Sequence, residues 1–376
     1  MNVSYKNGLL SIGLGIVAAF LIINIFFRQE PNFAELALGE ETKAYLATDS
    51  LGHPIHLVHD SLSQLLLTGW QKRGKNEVAL VLGNSQTHSI NQLKEGDQTY
   101  VGLLHQKWRP RKLDVVAHTI PNANLQELYL LFRYWQTKLP VTTVLVPVFM
   151  DDLREDGIRD VFLAQLLQTK FQIEGDTSEV VRQINKTLAS LQSNQGSSAD
   201  NDFKALEQTV QESVEKHLND FLQQHFSSWG YRPNVRGQLF ANLHVLRNTA
   251  FGISASTKRK MIPARMKNNY AALERLLTFA QAHKIKVLLY VPPIRSDVPI
   301  PYDEAEYMQF KREVELMAKQ HGALFANLEQ IVPGNNWGSK NATTIDGGKT
   351  EIDYMHFQYP GHQLLADSLD AQLFRQ

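Results

Sequence analysis

The sequence predicts an α/β sandwich built on a parallel sheet, and three observations carry that reading. Short apolar runs recur at Val78 to Leu82 (VALVL), Leu113 to Ala117 (LDVVA), Val141 to Phe149 (VTTVLVPVF) and Val287 to Val291 (VLLYV), each closed by turn-forming or polar residues. Such runs read as strands buried on both faces. Between them, Asn124 to Gln136, Asn268 to His283 and Tyr302 to His321 place apolar residues at three- and four-residue spacing, the period of a helix with one buried side. With 376 residues, 43% hydrophobic and 20% charged, the chain is long and apolar enough for a sizeable core, as one domain with an insertion or as two smaller domains.

Before the first strand, Gly8 to Phe27 (GLLSIGLGIVAAFLIINIFF) runs without a charge between Lys6 and Arg28. At about 1.5 Å per residue this stretch matches a hydrocarbon core of about 30 Å, and it predicts one transmembrane helix. A cleaved signal peptide is the alternative; the run is long for one, and no small-x-small cleavage site follows it. Residues 1–7 are then a short cytoplasmic N-terminus, with the body on the extracytoplasmic side. Residues 28–75 form a helical or irregular stem containing Glu35, Glu40, Glu41 and Lys43, and 76–376 form the α/β domain.

Within that domain, residues from about 160 to 262 interrupt the strand-helix rhythm. Long polar helical patterns surround a Gly, Ser, Asn and Asp rich segment, SNQGSSADND. We expect a helical insertion with an exposed linker, serving as a lid, as a docking surface, or merely as a solvated elaboration.

Charge and cysteine content narrow the function classes. Lys plus Arg balance Asp plus Glu at 38 each, so no net field draws the protein to nucleic acid. The absence of cysteine excludes disulfides, thiolate nucleophiles and cysteine-ligated zinc.

Two segments carry residues suited to covalent chemistry. The first, Leu80 to Asn91 (LVLGNSQTHSIN), follows an apolar strand with Gly83, Asn84 and Ser85 and then a helical pattern. In parallel sheets sites lie at the carboxyl ends of strands, where Ser85 falls, and its amide heads a helical turn where a developing oxyanion is favoured. A capping serine in an ordinary turn fits the same pattern. The second segment, Glu351 to Asp367 (EIDYMHFQYPGHQLLAD), places Asp353 three residues before His356. A serine hydroxyl becomes a useful nucleophile when an imidazole accepts its proton and a carboxylate fixes that imidazole's tautomer. A D-x-x-H turn offers both groups, although His356 could equally pack beneath the last helix.

Taken together, a strand-Gly-x-Ser block near the start of the sheet and a D-x-x-H block near the C-terminus resemble the SGNH (GDSL-like) hydrolase superfamily. The resemblance covers about residues 76–165 and 263–376. Its closer likeness is to membrane-anchored members, the DltD-like teichoic-acid D-alanylation proteins and the alginate O-acetylation proteins. It implies a flavodoxin-like three-layer sandwich with Ser85 as nucleophile, His356 as general base and Asp353 as its orienting partner. The oxyanion blocks fall at Asn122, where the family usually has glycine, and at Asp151 or Asp152, where it usually has asparagine. Asn84 replaces the usual aspartate before the serine. An ionised aspartate cannot donate to an oxyanion, and losing one donor costs about 100- to 1000-fold in rate. Either Asn84, Asn122 or Asn124 substitutes, or Asp151 is protonated, or the protein is a slow or inactive relative.

The resemblance further implies serine-dependent acyl transfer or ester hydrolysis on a cell-envelope polysaccharide, without a cofactor, beside a multi-spanning membrane O-acyltransferase. A catalytically inactive accessory that binds glycan or scaffolds that acyltransferase is the alternative. Among the remaining residues, Arg295 in YVPPIR is placed to hold an anionic group or to lie in solvent. His53, His56 and His59 share a three-residue spacing, but Pro54 opposes the helix that would align them on a metal. His88 is either a substrate contact or exposed, His362 is structural, and the charged run from Asp151 to Arg159 either rims a pocket or forms a salt-bridged turn.

Overall fold

A computed structural model describes residues 41–203, 246–341 and 350–374, together with Gly15, Ala18, Ala19, Leu21 and Leu243. The chain divides into two compact units. The larger comprises Glu40–Gln195, Ala255–Lys340 and Thr350–Gln376 and contains the sheet and every residue of the candidate site. The other comprises Met1–Gly39, Gly196–Ser254 and Asn341–Lys349; in its described part a helical turn closes with the Phe251 amide on the Arg247 carbonyl at 3.0 Å.

The strands of the larger unit, in chain order, are β1 (Thr42–Ala44), β2 (His56–Leu57), β3 (Glu77–Gly83), β4 (Ser89–Asn91), β5 (Leu113–Thr119), β6 (Val141–Pro147), β7 (Lys286–Val291), β8 (Leu324–Asn327), β9 (Trp337–Asn341) and β10 (Thr350–Phe357). Six of them form one sheet in the order β2-β5-β3-β6-β7-β8, every neighbouring pair parallel. Setting aside the two-residue edge strand β2, the order is the doubly wound 2-1-3-4-5 of flavodoxin-like sandwiches. β1 pairs with β4, and β9 with β10, in two small separate sheets.

The helices are α1 (Ser63–Lys72), α2 (Ser85–His88), α3 (Tyr100–Trp108), α4 (Leu125–Gln136), α5 (Ala164–Gln168), α6 (Glu179–Phe203), α7 (Pro263–Ala282), α8 (Glu304–Gln320) and α9 (Tyr359–Phe374). Strand alternation sorts the core into two layers. Val78, Leu80 and Leu82 of β3 face one side, with Leu128 and Leu131 of α4, Leu273 and Leu276 of α7, and Phe310 and Val314 of α8. Ala79 and Val81 face the other, with Val101 and Leu104 of α3 and Leu365 and Leu369 of α9. Because both faces are covered, the central strands are built around apolar runs with few polar positions.

Three expectations are corrected here. Residues 41–75 are part of the body: β2 is the sheet's edge strand, and Leu66 of α1 is fully buried in the first core layer. The stretch from Leu163 to Leu188 is core, since Leu163, Leu166, Val181, Ile184 and Leu188 pack in that same layer. The segment SNQGSSADND lies within α6. The expected membrane helix at 8–27 falls almost wholly outside the described residues, as do residues 1–7, 28–40 and 204–242. Among the described residues no helix is long and apolar enough to cross a membrane.

Candidate active site

β3 ends at Gly83, and the chain turns at once into α2, whose cap is Asn84 and whose first residue is Ser85. The turn is tight enough to require glycine: a Cβ on Gly83 would collide with the Thr87 hydroxyl and press on the Pro147 ring. The Asn84 side chain accepts a hydrogen bond from the Gln86 amide at 3.1 Å, which fixes the turn. Ser85 is thereby held, partly exposed, at the carboxyl end of the sheet's first long strand, beside the point where strand order reverses.

His356 and Asp353 arrive on β10. The D-x-x-H segment is therefore a strand with a local turn in it, rather than a free loop: Asp353 Oδ1 accepts from the Met355 and His356 amides at 2.9 and 3.0 Å. The His356 Nδ1–H donates to Asp353 Oδ2 at 2.9 Å, and Ser85 Oγ donates to His356 Nε2 at 3.0 Å. The tautomer is assigned from this network. Asp353 is 2% exposed and His356 7%. Burial pushes the Asp353 carboxyl upward, but the facing His356 ring and the hydrogen bonds from His356 and Met355 outweigh it and hold the group below its ordinary value. An anionic carboxylate behind a neutral imidazole, with a hydroxyl in front, is the arrangement needed to deprotonate a serine.

The residues expected around the triad have differing fates. Asn84 donates through Nδ2 to Asp152 Oδ1 at 3.0 Å, and Asp152 Oδ2 accepts from the Phe149 amide at 3.2 Å. Burial drives the Asp152 carboxyl well above the ordinary range, despite those two bonds. Asp151 serves a separate network: it pairs with Arg154 and Arg259 and accepts from the Tyr302 hydroxyl at 3.0 Å. Asn122 adopts a left-handed backbone, φ 51°, in the loop that follows β5, a conformation that favours glycine. Arg159 grips that loop through the Pro121 and Asn122 carbonyls and pairs with the buried Glu127. Asn124 caps α4 in a capping box with Glu127, and its amide donates to the Gly157 carbonyl, so it is committed to structure.

Arg295 is likewise engaged. Its guanidinium holds Asp297 through two nitrogens, at 2.9 and 3.2 Å, and donates to the Gly338 carbonyl at 2.9 Å. It braces the strand beside β10 and is not a free anion contact. The run from Asp151 to Arg159 is a salt-bridged turn.

The histidines also sort by environment. His53 contacts Asp49 and Lys72, His59 lies exposed against Phe162, and His56 is buried, so the three point to different surroundings. His88 is neither exposed nor free to meet substrate: it is buried and shares the Thr119 hydroxyl with His56, at 2.8 and 3.0 Å. Burial lowers the His88 imidazole to about 3, and the neighbouring His356 and His59 imidazoles push it the same way. His362 accepts from the Tyr100 amide and donates to the Ser89 carbonyl, which supports the structural role expected for it.

Gln86 was not singled out from the sequence. It is buried, and its side-chain nitrogen donates to the Pro293 carbonyl at 2.8 Å and the Met355 carbonyl at 2.6 Å. A polar residue directly after a candidate nucleophile was the only signal that pointed to it.

No family model matches the chain, and no curated protein matches it in sequence. Among solved structures, it is similar to an acetylxylan esterase from Geobacillus stearothermophilus, with 10% identity over 81% of this chain and 96% of that one and a TM-score of 0.38. An α/β-hydrolase enzyme from the metagenome of Lake Arreo, Spain, shows 11% identity over 79% and 94%, with a TM-score of 0.37. A GDSL-like lipase from Bacteroides thetaiotaomicron shows 13% identity over 81% and 91%, with a TM-score of 0.35.

Proposed function

We propose that this chain is a serine esterase or O-acyltransferase of the SGNH type. The observation that carries the reading is the unbroken hydrogen-bonded chain from Ser85 Oγ through His356 to Asp353, joining residues 271 positions apart. In the reaction, Ser85 Oγ attacks the acyl carbon of an ester as its proton passes to His356 Nε2. Asp353 stabilises the imidazolium that forms. The carbonyl oxygen takes up negative charge, for which the Ser85 amide at the head of α2 is the nearest donor in sequence; the Asn84 side-chain amide, which already donates one hydrogen to Asp152, has a second N–H beside it. Collapse releases the alcohol with the proton from His356 and leaves an acyl-Ser85 ester. Water or an acceptor hydroxyl, deprotonated by His356, then takes the acyl group.

The apolar run Gly8 to Phe27 supports a single-pass membrane anchor with the body on the extracytoplasmic side. That placement favours an acyl ester of a cell-envelope polysaccharide as substrate and a multi-spanning membrane O-acyltransferase as a partner. One observation favours the non-catalytic alternative: Asp152 accepts hydrogen bonds through both carboxyl oxygens and offers no amide donor.

A serine-directed fluorophosphonate separates the two readings. An enzyme is labelled at Ser85, and His356→Ala abolishes the labelling; a chain that stays unlabelled while folded is the accessory.

A further inference from the structure

Ser85 stands at the end of the central sheet, whereas its base stands on β10, which among the described residues pairs with β9 in a separate small sheet. The attack geometry therefore depends on whatever fastens β10 to the sheet near Ser85. A hydroxyl and an imidazole displaced by about an ångström lose much of their capacity to react.

One fastening is the Arg295 amide, which donates to the Tyr354 carbonyl at 3.2 Å; Gln86 supplies the one that starts from the nucleophile's own turn. It follows Ser85 in α2, is 3% exposed, and its single amide nitrogen bonds two carbonyls from different pieces of the fold. Pro293 lies just beyond β7 of the central sheet, and Met355 lies on β10 between Asp353 and His356. The two hydrogens of an amide NH2 match two carbonyl acceptors, and the side-chain oxygen in their place would repel both, which fixes the orientation of the group. The backbone of Gln86 is itself held, since its amide donates to Asn84. The clamp thus runs from the nucleophile's own turn to the peptide immediately before the base.

We infer that Gln86 is a positioning residue that sets the distance between Ser85 and His356 by tying the Met355 carbonyl to the end of the central sheet. The inference rests on the serine-esterase reading above. It predicts that Gln86 acts on rate through His356, without touching substrate.

The test compares Gln86→Met and Gln86→Glu in the full chain, by the rate of fluorophosphonate labelling and by turnover of p-nitrophenyl acetate. Gln86→Met keeps the length and removes both donors; labelling and kcat should fall about 10- to 100-fold, with KM within about twofold. In a His356→Ala background the same change should lower the residual p-nitrophenyl acetate turnover by less than about twofold, because the group it positions is gone. Gln86→Glu, the variant that serves if methionine prevents folding, should gain rate relative to wild type at the same pH as the pH falls and its carboxyl regains a donor proton. A pure packing defect produces no such recovery. Wild-type rates in both variants, or losses that multiply fully with His356→Ala, would overturn the role of Gln86 while leaving the esterase reading intact. Labelling that ignores His356→Ala would overturn both.

Discussion

Replacing Asp353 with asparagine probes the electrostatic logic of the site with almost no change in shape. In the native site Asp353 Oδ1 accepts the Met355 and His356 amides, and Oδ2 accepts the His356 Nδ1 proton at 2.9 Å. Asparagine can keep the two backbone bonds only by placing its carbonyl oxygen at Oδ1. Its NH2 then faces Nδ1, which must accept, and the ring proton moves to Nε2. That nitrogen lies 3.0 Å from Ser85 Oγ and can no longer take its proton. A wrong tautomer of this kind costs about ten-thousand-fold in kcat, or roughly 5 kcal/mol of barrier. Folding stability should change far less, by about 1–2 kcal/mol, because the backbone bonds survive and only a charge-assisted bond is weakened. The assay is p-nitrophenyl acetate hydrolysis alongside a thermal melt of the same preparation. If Asp353→Asn retains activity within about tenfold of wild type while Ser85→Ala is inactive, the tautomer argument is refuted.

Other outcomes follow from the same contacts. His56, His88, His118 and His362 are buried, and burial lowers the last three to about 3 and His56 likewise downward. Their folded pKa values lie below the unfolded value of about 6.5, so the unfolded chain binds more protons as pH falls. Stability should be full above about 6.5 and decline as pH falls below it, as the unfolded chain takes up the protons; a urea midpoint that stays level from about pH 6.5 to about pH 4 would contradict this. Asp152→Asn should lower stability, since its NH2 would face either the Asn84 or the Phe149 donor. Asn84→Asp added to it should restore the pair, with a coupling of about 1–3 kcal/mol in a double-mutant cycle of urea melts, and purely additive losses would exclude the exchange. Arg159→Ala leaves the fully buried Glu127 without its cation and frees the loop at Asn122. It should cost about 3 kcal/mol by chemical denaturation, and a loss near zero would show that Glu127 is satisfied by α4 alone.

Much of the fold was legible in the sequence where burial is two-sided. β3, β5, β6 and β7 are built around apolar runs, and α4, α7 and α8 show a clear helical period, so each lies within a few residues of its expected span. β2 and β8 escaped notice for a physical reason. They are edge strands: His56–Leu57 is too short to show a pattern, and Leu324–Asn327 is only partly buried. The stretch from Leu163 to Leu188 was misjudged because its polar positions dominate the count while a sparse apolar stripe does the packing.

The site divides in the same way. Ser85, Asp353 and His356 stood out as residue types, a serine just past a strand end and an acid three residues before an imidazole, and the structure brings them into one hydrogen-bonded chain. What the sequence concealed are partnerships made across the fold by ordinary polar residues. Gln86 with Met355, Arg159 with Glu127, and Asn84 with Asp152 are separated by 269, 32 and 68 positions, and no periodicity or local spacing marks them. Arg295 showed the reverse: its place at a strand end suggested a ligand contact, and the nearby Asp297 and Gly338 claim it instead.

The most direct measurement is to mix the full chain with p-nitrophenyl acetate, quench in acid during the first turnovers, and map the acetylated peptide by mass spectrometry. An acyl group on Ser85, lost in Ser85→Ala and in His356→Ala, is the predicted result. Acetylation elsewhere, or unchanged in Ser85→Ala, would show that this serine is not the nucleophile.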